Sequence, residues 1–162
     1  MFLSKRRIRF IKEYLRRYGL NVSVCLGIYN IETTYRKFLF RICENVFFVF
    51  NFIANKLFKC KIKNITIGVF QIGLTSILSC NGYKIWQYYD YLPEMTFKQF
   101  ACVVKAMFFK NNVEMFCKKV SAYGTECEDI NRMIARYGEL YNGNVDYILM
   151  LNSEYNKLEK IS

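Results

Sequence analysis

Only one proline and eight glycines punctuate the 162 residues of this chain, and that scarcity constrains its fold more than any other feature. A turn-rich β sandwich needs frequent Gly and Pro breaks, whereas long helices need few. The chain is long enough to bury a core without covalent staples, and 53% hydrophobic and 18% aromatic residues argue against disorder. Apolar periodicity predicts helices over residues 2–18, 22–35, 36–58, 97–109, 113–123, from about 125 to 137, and 145–158. Residues 65–78 read as a tight turn entering a short helix. Gly19 is the expected C-cap of the first helix and Thr96 the N-cap of the 97–109 helix, while Asn111-Asn112 marks a break. No repeat or interdomain linker interrupts the pattern. The expectation is an all-α protein: a basic amphipathic helix over residues 1–20, followed by one helical domain over 21–162.

The net charge of +11 is unevenly spread. Lys5, Arg6, Arg7, Arg9, Lys12, Arg16 and Arg17 crowd the N-terminal segment, and Lys56, Lys59, Lys61 and Lys63 form a second cluster. Such a balance suits a polyanionic partner, or serves only to solubilise an aromatic-rich surface. The basic N-terminal helix can lie on an anionic membrane surface or a wall polymer, or cover the domain with its charges solvated. No DNA- or RNA-binding motif accompanies the charge, so nucleic acid is not the expected partner.

Histidine is absent, which removes Ser-His-Asp and Cys-His catalysis and the His-containing zinc motifs. An enzyme built from this chain moves protons through carboxylates, tyrosines or lysines. The seven cysteines stand ten or more residues apart with no Cys-x-x-Cys, so buried free thiols are expected rather than a metal site or disulfide framework. No metal and no cofactor is expected. The basic start leads into no apolar run with a small-residue cleavage site, so no secretory signal is read there. Residues 38–58 are the greasiest stretch, but Arg41, Glu44, Asn45, Asn51, Asn55 and Lys56 interrupt it, and a buried central helix is expected.

Three segments carry candidate chemistry. Glu32 closes an apolar run, where desolvation raises a carboxyl pKa and keeps a proton available for a glycosidic oxygen; it equally suits a surface glutamate ending a helix. In Ile65-Thr66-Ile67-Gly68-Val69-Phe70-Gln71-Ile72, Gly68 permits close approach of a ligand to the backbone, and Gln71 can both donate to and accept from a sugar. The same segment suits a strand or turn with one polar residue facing water. In Leu140-Tyr141-Asn142-Gly143-Asn144, followed by Tyr147 and Tyr155, a tyrosine hydroxyl can hold the catalytic carboxyl, or Asn-Gly can simply cap a helix.

In this order, the three segments resemble the lysozyme-like lytic transglycosylases. Glu32-Thr33-Thr34-Tyr35 is similar to that family's Glu-Ser-x-Phe, Gly68-Val69-Phe70-Gln71-Ile72 to its Gly-Leu-Met-Gln-Ile, and Leu140-Tyr141-Asn142-Gly143 to its Ala-Tyr-Asn-x-Gly. The resemblance spans residues 22–158. It implies a lysozyme-like fold and cleavage of peptidoglycan glycan strands with Glu32 as acid/base. It also implies Thr66, Gly68 and Gln71 along the substrate, Tyr141 holding the glutamate, and Asn142 beside the cleft. One glutamate then suffices, without metal or histidine. The interval from Glu32 to Gly68 is longer than the family shows, and Glu44 is the alternative catalytic residue. The alternative function is a non-catalytic lysozyme-like protein binding wall, membrane or a protein partner. The expected site of action is the cell wall or periplasm, reached from the cytoplasm without a classical signal.

Overall fold

The computed structural model describes residues 5–35, 38–85, 90–124, 126–141 and 143–160. Among these the chain is mainly helical, with helices α1 (Lys5–Arg17), α2 (Val22–Tyr35), α3 (Phe38–Phe58), α4 (Leu74–Cys80), α5 (Phe97–Met107), α6 (Phe109–Tyr123), α7 (Ile130–Tyr141) and α8 (Val145–Glu159). Four two-residue strands complete it: β1 (Ile62–Lys63), β2 (Thr66–Ile67), β3 (Ile72–Gly73) and β4 (Tyr91–Leu92). The chain divides into two compact units, residues 1–35 with 117–162, and residues 36–116.

In the first unit α2 is buried from Val24 through Tyr29, and again at Ile31. It packs on α8, which also packs on α7, and α1 lies against α2. Ile11 and Leu15 bury the apolar side of α1, leaving Arg6, Arg7, Arg9, Arg16 and Arg17 exposed. Gly19, at φ +65°, ends this helix in a Schellman turn, with Leu20 N donating to Leu15 O and Gly19 N to Arg16 O. Asn21 caps α2 through Val24 N. A Cβ on Gly138 would stand 2.3 Å from Ile148 Cγ1, so glycine is what lets α7 approach α8 this closely.

In the second unit α3 turns Phe48, Phe52 and Asn55 inward. Phe100 of α5 stacks on Phe52 with centroids 4.0 Å apart. Asn55 is a buried polar knot: its amide donates to Cys60 O and Pro93 O, and its oxygen accepts from Met95 N. β1 pairs antiparallel with β4, Lys63 opposite Tyr91, and β2 with β3, Thr66 opposite Gly73. The tight turn expected over residues 65–78 is therefore a short hairpin feeding α4. α5 begins as expected at Thr96, whose side chain and that of Gln99 complete a reciprocal capping box.

Four expectations need correction. The break near Asn111-Asn112 falls instead at Phe108, whose extended backbone ends α5, and both asparagines lie inside α6. α7 starts at Ile130, because Asp129 supplies the cap to Asn131 N and Arg132 N. α3 is not a buried helix, since Leu39, Phe40, Phe47, Phe50, Leu57 and Phe58 are all exposed. The cysteines are free but not mostly buried: only Cys25 and Cys117 are, while Cys43 and Cys60 are exposed.

Candidate active site

Glu32 is the first charged residue of α2 and sits half-exposed at the end of its buried run. Tyr147, in the first turn of α8, donates its hydroxyl to Glu32 Oε1 at 3.0 Å. The N-cap of α8 is Asn144, whose side chain accepts from Asp146 N, and this fixes the helix start that aims Tyr147 at α2. Tyr147 is 4% exposed. Burial, then the neighbouring Glu32 carboxyl, push its phenol far above the ordinary range, so it stays protonated and keeps donating. Tyr141, the last residue of α7, lies parallel to Tyr147 with ring centroids 6.3 Å apart. Burial raises its phenol too, with Tyr147 and Glu32 adding to the effect. The buried Lys119 places Nζ 5.0 Å from the centroid of the Tyr141 ring.

The bond expected of Tyr141 is thus made by Tyr147, in the next helix, with Tyr141 as its aromatic backing. Asn142 lies outside the described residues. Lys119 escapes a reading of the sequence. The one hint it offers there is a lysine inside the apolar pattern of α6.

A second carboxyl and tyrosine pair occurs in the same unit. The Tyr137 hydroxyl donates to Glu126, which also accepts from Asn21 N at the start of α2. An acid at a helix N-terminus is favoured by the helix dipole, so this pair fastens α2 in place. Behind it Cys25 donates its thiol to the Tyr137 hydroxyl at 3.4 Å, and burial holds that thiol well above its usual pKa.

Thr66, Gly68, Gln71 and Glu44 belong to the second unit, and Glu32, Tyr141 and Tyr147 to the first. Gln71 is buried, and its amide closes the hairpin turn: Nε2 donates to Gly68 O at 2.7 Å and Thr66 Oγ1 donates to Oε1 at 2.6 Å. Gly68 has φ +79°, and a Cβ there would stand 2.1 Å from Asn112 Nδ2. The close approach that the glycine permits is to the protein itself. Asn112, fully buried on α6, accepts from Phe70 N and donates to Ile67 O and Ala106 O. Thr66, Gly68 and Gln71 therefore shape a turn clamped from behind. Glu44 is half-buried on α3.

Along α1, Lys5, Ile8, Arg9, Lys12, Glu13, Arg16 and Arg17 line an open groove of about 730 Å³. Among the described residues no three His, Cys, Asp or Glu side chains group as a metal site would require. Comparison of the chain with models of protein families, with curated proteins and with solved structures finds no match.

Proposed function

We propose that this chain is a lysozyme-like domain that cleaves peptidoglycan glycan strands, as a lytic transglycosylase or muramidase, with Glu32 as the acid/base. The observation that carries the reading is the Glu32 carboxyl, at the end of the buried run of α2, held by the hydroxyl of Tyr147. A half-exposed carboxyl with one oxygen oriented by a permanent donor is placed to exchange a proton with a substrate. The protonated carboxyl gives its proton to the glycosidic oxygen as the bond to the muramic C1 breaks. The resulting carboxylate then takes the proton of the muramic 6-hydroxyl, whose oxygen closes on C1 to form a 1,6-anhydro end. In a muramidase, water replaces that hydroxyl. The basic face of α1 gives affinity for anionic wall polymers in this reading.

A second reading is a non-catalytic lysozyme-like binding protein, and the closure of the Gln71 amide onto Thr66 and Gly68 favours it. Incubation with purified peptidoglycan, followed by mass analysis of released muropeptides, separates the two. The wild-type chain is expected to release products, anhydro ends marking the transglycosylase and reducing ends the muramidase. Glu32→Gln should lower the rate by about a hundred- to ten-thousand-fold, because the amide neither gives nor recovers a proton. Glu44→Gln should leave it unchanged. Loss of activity in Glu44→Gln alone moves the assignment to Glu44. No release by the wild type hands the conclusion to the binding protein.

A further inference from the structure

α3 is amphipathic in an unusual sense: its outer face is apolar and uncovered, and it continues into a cationic end. Leu39, Cys43, Val46, Phe50, Ile53 and Leu57 repeat at three- and four-residue intervals and are all exposed, Phe50 by 64% and Leu57 by 68%. Phe40, Phe47 and Phe58 widen the stripe. The 21 residues of α3 give this face a length of about 31 Å at 1.5 Å per residue. A stripe this wide and long exceeds what isolated surface hydrophobes explain.

Charge identifies what covers it. From residue 38 to residue 63 the chain carries Arg41, Lys56, Lys59, Lys61 and Lys63 against the single acid Glu44. Immediately after the exposed Phe58 come Lys59, Lys61 and Lys63, all exposed, while Ile62 between them is buried. Lys59 takes a left-handed backbone, φ +57°, which stops the helix and begins the cationic segment at its end. Exposed aromatic rings with lysines at one end match the boundary of an anionic bilayer, which takes apolar side chains below its phosphates and cations among them. No single helix among the described residues is long and apolar enough to cross a membrane. α1, the more basic helix, does not compete for this role, because Ile11 and Leu15 are buried in the first unit.

We propose that the outer face of α3, with Lys59, Lys61 and Lys63, docks this protein in the plane of an anionic lipid surface. The proposal is independent of the glycan-cleaving reading. Its test is flotation of the full chain with vesicles of phosphatidylcholine alone, or mixed with phosphatidylglycerol in equal parts. The chain should float with the mixed vesicles and far less with the neutral ones. Joint replacement Lys59→Gln, Lys61→Gln and Lys63→Gln should weaken binding by about a hundredfold, since each lysine near an anionic surface is worth about fivefold. Phe47→Asp with Phe50→Asp should weaken it by about a hundredfold or more. Arg6→Gln with Arg9→Gln should leave it nearly unchanged. To guard against misfolded variants, Phe50→Trp in a Trp86→Phe background should fluoresce and be quenched by brominated lipid in the mixed vesicles. The proposal is overturned by absence of flotation, by binding that fails with the α1 changes but survives the α3 changes, or by vesicle-bound Phe50→Trp protein whose indole is not quenched. It is equally overturned if light scattering finds a dimer that the phenylalanine changes dissolve, because a second copy would then cover the face.

Discussion

Glu32 and Tyr147 are 115 positions apart in sequence, yet one hydrogen bond joins them. Removing that hydroxyl takes one orienting donor from the carboxyl. Tyr147→Phe is therefore expected to lower kcat by about tenfold with KM little changed, the worth of one hydrogen bond of about 1.4 kcal/mol. Rates of muropeptide release check this, and a larger loss in Tyr141→Phe would reverse the assignment. The raised phenols have a consequence for stability. Tyr141, Tyr147 and the Cys25 thiol all bind their protons more tightly folded than unfolded. Their contribution is fully present below the unfolded values, 9.0 for the thiol and 10.0 for the phenols, and is lost as pH rises above them. Thermal unfolding should show a falling midpoint above about pH 9, less steep in Tyr147→Phe. A midpoint flat into the alkaline range would contradict the burial of these groups.

The hairpin β2–β3 owes its conformation to a residue distant in sequence, Asn112. Its turn needs Gly68 at positive φ and Asn112 pressed against it, with the Asn112 side chain meeting three backbone groups. Asn112→Ala should cost about 3 kcal/mol or more, since each buried group left unsatisfied costs about 1–3 kcal/mol. Urea unfolding measures it, and a loss below about 1 kcal/mol would show that water replaces the amide. Gly138→Ala should cost about 1–3 kcal/mol by forcing α7 off α8, measured in the same way. These positions are legible only in part. Gly68 reads as a turn glycine, but Asn112 reads as a helix breaker, because Asn favours caps and turns wherever its side chain has only local partners. Inside α6 its partners come from Ile67, Phe70 and Ala106, and no local rule reports them.

On the scale of the molecule, the thiols offer a direct readout of how the chain is packed. Intact mass should show seven reduced cysteines. Native alkylation should modify Cys43 and Cys60 first and Cys25 and Cys117 last, Cys25 slowed further by its raised pKa. Any disulfide, or early modification of Cys25, would contradict this arrangement. The mainly helical class and most helix limits were legible in the chain itself, because capping and periodicity act over a few residues. Val22, Tyr35, Phe58, Thr96 and Val145 all stand at the ends that such signals mark. Three-dimensional packing decided what those signals do not reach. α3 is apolar nearly all round, so hydropathy could not tell which stripe, Phe48–Phe52–Asn55, would be buried and which left outside. Tyr141 and Tyr147 both precede or open the last helix, and only the packing of α8 on α2 selected the one that touches Glu32. Local sequence determines where helices begin and end; which faces and hydroxyls meet depends on contacts made across the whole length of the chain, whose energies no short segment contains.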